Sequence, residues 1–292
     1  MIVDAHVHIF RSHAEDPERP VDEIARTERE APLALLDRTL SEAKVDGAVL
    51  VPLGSEQEYV TSIVALNHHR FRAILGLPSP SPAVPQDTRA GHVSDSITRR
   101  LQSPGVRGLR LFALPESEDD PPPWLGVLRT LASSGQVLWM YPRPQDLPLL
   151  RATLETLPEL RVVLNHTGFT QRGIGCDEHG RPRIRSKVPQ PELQEVLELS
   201  RFPEVAVMVS GQYAFSRQAY PYLDIAPITQ QVAERFGVER LVWASDFPWI
   251  IDKPGYRACL DLLDHQLPGL STAERGAVLG GNVRRILDWS DA

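Results

Sequence analysis

Eight short, nearly continuous apolar runs recur along the chain, separated by longer amphipathic segments, and this alternation constrains the fold more than any other feature. The runs are Ile2 to His8, Gly47 to Pro52, Phe71 to Leu77, Val106 to Phe112, Gln136 to Tyr141, Arg161 to His166, Val205 to Ser210 and Arg240 to Asp246. Segments such as Ala48-Val-Leu-Val51 read as strands covered on both faces. Between them, Ala34 to Lys44, Leu147 to Leu157, Glu192 to Ser200, Ile228 to Phe236 and Arg257 to His265 carry apolar residues at helical spacing. Alternating strands and helices call for a parallel sheet. Eight repeats in 292 residues point to an α/β fold, a single (β/α)8 TIM barrel forming one domain over residues 1–292. An open doubly wound sheet is the structural alternative.

Composition narrows the function. A net charge of -7 argues against a nucleic-acid partner. No apolar run approaches the roughly 20 residues of a membrane span. The opening Met1-Ile-Val-Asp-Ala-His6 lacks the layout of a secretory leader. Cys176 and Cys259 lie far apart; one disulfide is compatible with them, but a reduced cytoplasmic setting is expected. Gly173 and Gly175 form a lone Gly-x-Gly with no helix-like segment behind it, so no dinucleotide fingerprint is present.

The chemistry-bearing residues gather at the C-terminal ends of the runs, the face on which barrels build active sites. Asp4-Ala-His6-Val-His8 closes the first run. Strand alternation puts His6 and His8 on one face, with Asp4 on that face one layer deeper. Two such imidazoles can chelate one divalent cation; they can equally be buried, hydrogen-bonded histidines. His166 ends the sixth run and Asp246 the eighth, where a carboxylate also suits a loop cap. Tyr141, Arg143 and Tyr213 follow the fifth and seventh runs and are candidates for substrate contact, and Trp249 for a pocket wall. Two loop-like stretches, Arg11 to Ala31 and Gly168 to Pro191, follow strand ends. The second carries Arg172, Arg181, Arg183, Arg185 and Lys187, either a solvated excursion or an anion-attracting lid. His68 and His69 read as surface residues, and His13, His92 and His265 as solvent-exposed. Cys176-Asp-Glu-His179 lacks further ligands for a metal site.

Val3-Asp-Ala-His-Val-His8, Val106-Arg-Gly-Leu-Arg110, Asn165-His-Thr-Gly168, Val209-Ser-Gly-Gln-Tyr213, Trp243-Ala-Ser-Asp-Phe-Pro248 and Gly281-Asn-Val-Arg-Arg-Ile-Leu287 occur in order along the chain. Together they resemble the second amidohydrolase family of the amidohydrolase superfamily, in the branch of barrel hydrolases that includes sugar lactonases and 2-pyrone-4,6-dicarboxylate lactonase. The resemblance implies that His6 and His8 bind metal, and that His166 binds metal or polarises the substrate carbonyl. It implies that Asp246 is the general base that activates water and a possible ligand, and that Arg110 contacts a substrate carboxylate. A guanidinium suits that last task, though Arg110 can equally pair with an acid inside the barrel.

The implied activity is hydrolysis of a lactone of a sugar acid or related small anionic molecule, with one divalent ion, Zn²⁺, or with no metal at all. There are departures from the pattern. The fourth run ends Arg110-Leu-Phe112, with no Lys or Glu to bridge two metals, and the fifth reads Val137-Leu-Trp-Met-Tyr141, with no histidine. Phe169 stands where that branch carries an arginine. Zinc-dependent non-oxidative decarboxylation is the competing reaction, disfavoured by the missing fifth-strand histidine. A non-catalytic barrel that binds a small acid is the third reading.

Overall fold

The computed structural model describes residues 1–17, 19, 21–53, 57–76, 95–114 and 123–289. Each apolar run contains one strand: β1 (Val3–Val7), β2 (Gly47–Leu50), β3 (Phe71–Gly76), β4 (Val106–Leu111), β5 (Val137–Met140), β6 (Arg161–Leu164), β9 (Val205–Val209) and β10 (Leu241–Trp243). Leu77, the end of the third run, lies outside the described residues. The strands pair in parallel in the order β1-β2-β3-β4-β5-β6-β9-β10. A parallel bridge between Val7 and Phe247, with His8 N–H donating to the Phe247 carbonyl at 2.8 Å, brings the two edges together. The fold is a (β/α)8 barrel.

Helices stand between the strands: α1 (Leu33–Ala43), α2 (Gln57–Leu66), α3 (Asp95–Leu101), α4 (Pro123–Ser133), α5 (Leu147–Thr156), α6 (Leu193–Glu198), α7 (Gln212–Phe215), α8 (Ala226–Phe236) and α9 (Tyr256–Gln266). After them, α10 (Thr272–Gly276) and α11 (Asn282–Ile286) flank a π-turn at Ala277–Gly281. Strand residues divide by parity. Val3, Ala5, Val49, Ile74, Trp139, Val163 and Met208 fill the barrel interior, and Trp289 closes with them. Ala48, Leu50, Leu138, Leu164 and Leu241 face the helical shell. No described helix is long and apolar enough to cross a membrane. Cys176 and Cys259 are free thiols.

Asp4 departs from the expected placement. The ladder between β1 and β2 slips between Asp4 and Val7, so one extra residue enters β1. Such a bulge re-aims side chains. Asp4 therefore faces away from the interior that Val3 and Ala5 fill, while His6 and His8 turn into the barrel mouth. There Asp4 braces the barrel's closing edge. Its carboxylate accepts from the Ser245 N–H at 2.9 Å, the His6 N–H at 3.2 Å and the Tyr256 hydroxyl at 2.6 Å. Burial raises its pKa to about 6 against the pull of these donors. Tyr256→Phe leaves one buried carboxylate oxygen short of a partner, and is expected to cost about 1–3 kcal/mol of stability in urea unfolding. A variant as stable as wild type contradicts this bracing role.

Candidate active site

The strand ladders stop one to three residues before the functional groups, so His8, Tyr141, His166 and Asp246 sit where the chain leaves the sheet. Asp246 and His166 adopt left-handed backbone, with φ of 65° and 50°, and Thr167 follows with 57°. Non-glycine residues pay roughly 1–2 kcal/mol each there. The turns after β6 and β10 thus hold strain at the two side chains that face the cleft.

His6 is fully buried, and neither ring nitrogen has a hydrogen-bond partner among the described residues. Burial, followed by the neighbouring His8, Arg110 and His166, holds its pKa well below the usual imidazole range, so the ring is neutral. His8 Nδ1 lies 2.8 Å from the Val51 carbonyl oxygen. A carbonyl only accepts, so Nδ1 carries the proton and donates it. In a neutral ring the lone pair is then on Nε2, which faces Asp246 Oδ1 at 3.6 Å; His6 Nε2 faces the same oxygen at 4.0 Å. Acceptors turned on one another in this way call for a cation between them. Donor atoms of His6, His8 and Asp246 all lie within 4.8 Å of one another. The set fits one divalent ion, and the bond from His8 to Val51 is the outer support that fixes a ligand's tautomer.

Asp246 is clamped from behind, its Oδ2 accepting from the Tyr213 hydroxyl at 2.5 Å. Burial alone would raise its pKa. The neighbouring His8 and His166 and the Tyr213 hydroxyl outweigh burial and bring it down to about 2. His166 sits 3.1 Å by Nδ1 from Ser210 Oγ, which leaves Nε2 for the cleft it lines. Burial takes its pKa down to about 4, with Asp246 opposing and Arg110 and His8 assisting. Gly211, at φ 76°, allows this placement: a Cβ there would stand 2.9 Å from His166 Nδ1. Gly211→Ala is expected to cost roughly 1–2 kcal/mol through its left-handed backbone, and to lower turnover by displacing His166. Wild-type stability and kcat in that variant would contradict the placement.

Arg110 and Tyr141 complete the floor. Arg110 is buried, its Nε is without a partner among the described residues, and its guanidinium lies 4.3 Å from the Phe112 ring centroid. Burial lowers its pKa to about 10 against the attraction of Asp246 and Tyr141, so it stays charged. The Tyr141 hydroxyl is also buried and unpartnered among the described residues, and its ring stands edge-on to His166 at 4.9 Å. Burial pushes its pKa up, so it remains a neutral donor.

His8, Arg110, Tyr141, His166, Asp246 and Trp249 line one cavity of about 250 Å³, with His6 packed against His8 at 4.7 Å between ring centroids. Other sequence candidates lie elsewhere. Arg143 turns away to pair with Asp146, Nη2 to Oδ1 at 2.7 Å, because the chain turns sharply at Pro144–Asp146 just past β5. Tyr213 stands behind Asp246 and does not line the cavity. His166 stands outside the three-residue donor cluster, its Nδ1 engaged by Ser210. His13 is half-buried, whereas His68, His69 and His265 are exposed; His92 lies outside the described residues. His179 meets Lys253 Nζ at 2.9 Å and Glu178 at 3.2 Å, and no donor cluster forms around Cys176 among the described residues.

The Gly168 to Pro191 loop folds over the cavity as a small antiparallel hairpin, β7 (Ile174–Cys176) with β8 (Pro182–Ile184). It turns Ile174, Pro182 and Ile184 toward the cavity. Three of its four arginines are engaged outside it: Arg172 with Glu192, Arg181 with Asp177 at 2.7 Å, and Arg183 with the Tyr213 carbonyl at 3.2 Å; Arg185 and Lys187 do not line the cavity. The cavity face of the loop is apolar, not basic. The Arg11 to Ala31 loop supports it, with Arg29 bonded to the Gly180 carbonyl and lying over the Trp249 ring. Sequence reasoning gave Ser210 and Gly211 no role and missed the isoleucines, none of which carries a catalytic signal by residue type.

A parallel eight-stranded barrel with two histidines and an aspartate at its C-terminal mouth is the architecture of a barrel enzyme. The sequence profile of the family described as Amidohydrolase matches residues 3–289, and the chain belongs to that family of hydrolases. The chain is 22% identical over 255 residues to the L-fucono-1,5-lactonase of Burkholderia ambifaria, covering 84% of this chain and 80% of that one. A Pseudomonas putida structure described as a 2-pyrone-4,6-dicarboxylic acid hydrolase shares the fold, with TM-score 0.74, 22% identity and coverage of 98% and 97% of the two chains. A zinc-bound amidohydrolase from Burkholderia multivorans does so with TM-score 0.72, 18% identity and 99% coverage of both.

Proposed function

We propose that this hydrolase opens a lactone of a small carboxylated molecule. The carrying observation is Asp246, ionised, fixed through Oδ2 by Tyr213, and turned by Oδ1 toward His6 and His8 in the cavity that Arg110 also lines. Similarity to a lactonase over most of the chain supports the reaction class. In the reaction, water adds across the acyl C–O bond of the ring. Asp246 takes the attacking water's proton, the water oxygen joins the acyl carbon, the ring C–O bond breaks, and the proton passes to the leaving alkoxide. His166 Nε2 and the Tyr141 hydroxyl are donors for the acyl oxygen as charge develops on it. Arg110 holds the carboxylate.

His6, His8 and Asp246 would hold one divalent ion, with zinc expected from two imidazoles and a carboxylate. When bound, it supplies positive charge that acidifies water, which suits a base as weak as Asp246. Elemental analysis of protein prepared without chelators is expected to give one equivalent per chain, and His6→Ala or His8→Ala to lose it. Two equivalents, or retention in both variants, contradict the mononuclear site. The decarboxylase reading draws no support from the site, where β5 delivers Tyr141 in place of a histidine. The reaction is tested by proton release from a lactone panel, with carbon dioxide measured on the same samples; carbon dioxide without ring opening would overturn it.

A further inference from the structure

Polar and apolar lining residues divide by height in the cavity. His8, Arg110, Tyr141, His166 and Asp246 form the floor; Ile174, Pro182 and Ile184 form the roof; Ile24, Phe215 and Trp249 stand at the sides. Ile174 and Ile184 are directly opposed across the hairpin, so both point the same way. Arg183 has the opposite parity and turns outward. Phe169 stacks behind Phe215 at 4.0 Å and thickens that wall. Two of the apolar lining residues stay open to solvent, Ile174 at 52% and Phe112 at 37%. An apolar group seated there would remove both from water.

Charge in the cavity is equally one-sided. Among the described residues Arg110 is the one arginine or lysine that lines the cavity, and its buried Nε has no hydrogen-bond partner there. Asp22, at the rim, caps its own loop by accepting from the Ile24 and Ala25 N–H groups at 2.8 and 2.6 Å. A ligand with two carboxylates would set the second against apolar walls or against Asp22. A polyhydroxylated ring would bring hydroxyls that lose water and find no partner among the described residues of the walls or roof.

We propose that the cavity selects a lactone with one carboxylate, seated on Arg110, and an alkyl substituent of several carbons, seated under Ile174 and Ile184. This rests on the lactonase reading above. The test is kcat/KM for γ-lactone carboxylic acids with unbranched chains from methyl to hexyl, beside a polyhydroxylated aldonolactone and a pyrone dicarboxylate. Expected is a rise of about three- to fourfold per methylene over the first few, with the last two compounds about tenfold or more below the hexyl lactone. Ile174→Asn, at a half-exposed position that tolerates a polar residue, is expected to flatten the chain-length dependence. Calorimetry with hexanoate and gluconate separates the two ideas. Hydrolysis without chain-length dependence, or preference for the aldonolactone or dicarboxylate, overturns the selectivity and leaves the lactonase reading standing. Tighter binding of hexanoate than gluconate with no lactone turned over keeps the selectivity and removes the lactonase reading.

Discussion

Asp246→Asn is expected to lower kcat by about 10²–10⁴-fold, the usual cost of losing a general base, while KM and thermal stability change little. Asn is nearly isosteric and can still receive the Tyr213 hydroxyl, whose 2.5 Å bond fixes the carboxylate now. It cannot take a proton from water near neutral pH. Loss of a ligand to the ion held by His6 and His8 adds to the effect, so metal content is measured on the same preparation. A folded, metal-loaded variant with near wild-type kcat would show that Asp246 is not the base; His166 would then be the candidate.

His166→Phe is expected to lower kcat by about 10²–10³-fold, the scale seen on removing one donor to a developing oxyanion. Phenylalanine keeps the edge-on packing against Tyr141, at 4.9 Å between ring centroids, and deletes Nε2 from the cleft. A purely structural histidine would instead show its loss in stability, with kcat intact. The pH profile adds a second check. His166 is neutral above about 4 and Asp246 ionised above about 2, so both hold their working forms from about pH 5 upward. The rate is expected to fall on acidification only well below that, as the base Asp246 takes up a proton; a protonated His166 would keep its Nε2 donor. An acid limb near 6.5 would contradict these assignments.

The barrel was legible because each strand is buried on both faces and so reads as an unbroken apolar run. His6, His8, His166 and Asp246 were legible because strand ends converge in a barrel whatever their separation in sequence. Past the last ladder residue that logic ends. Arg143 stands only two residues beyond Tyr141, yet the turn at Pro144–Asp146 carries it off to Asp146. Tyr213 follows β9 closely, but its hydroxyl meets Asp246 from behind. The bulge in β1 had no local signature, and it reverses the face on which Asp4 lies. Tyr256, the partner of Asp4, is 252 residues away in sequence. The lid strands are three residues each, set in a loop rich in arginine and glycine. They are too short for an apolar alternation to register, so the arginines were conspicuous and the two isoleucines that face the cavity were not.

Hydrolysis of a cleaved lactone in ¹⁸O-labelled water, followed by mass spectrometry of the product, tests attack of Asp246-activated water on the acyl carbon most directly. The expected result is one labelled oxygen in the new carboxylate and none in the new hydroxyl. Label in the hydroxyl, or a product that has lost carbon dioxide, would contradict it.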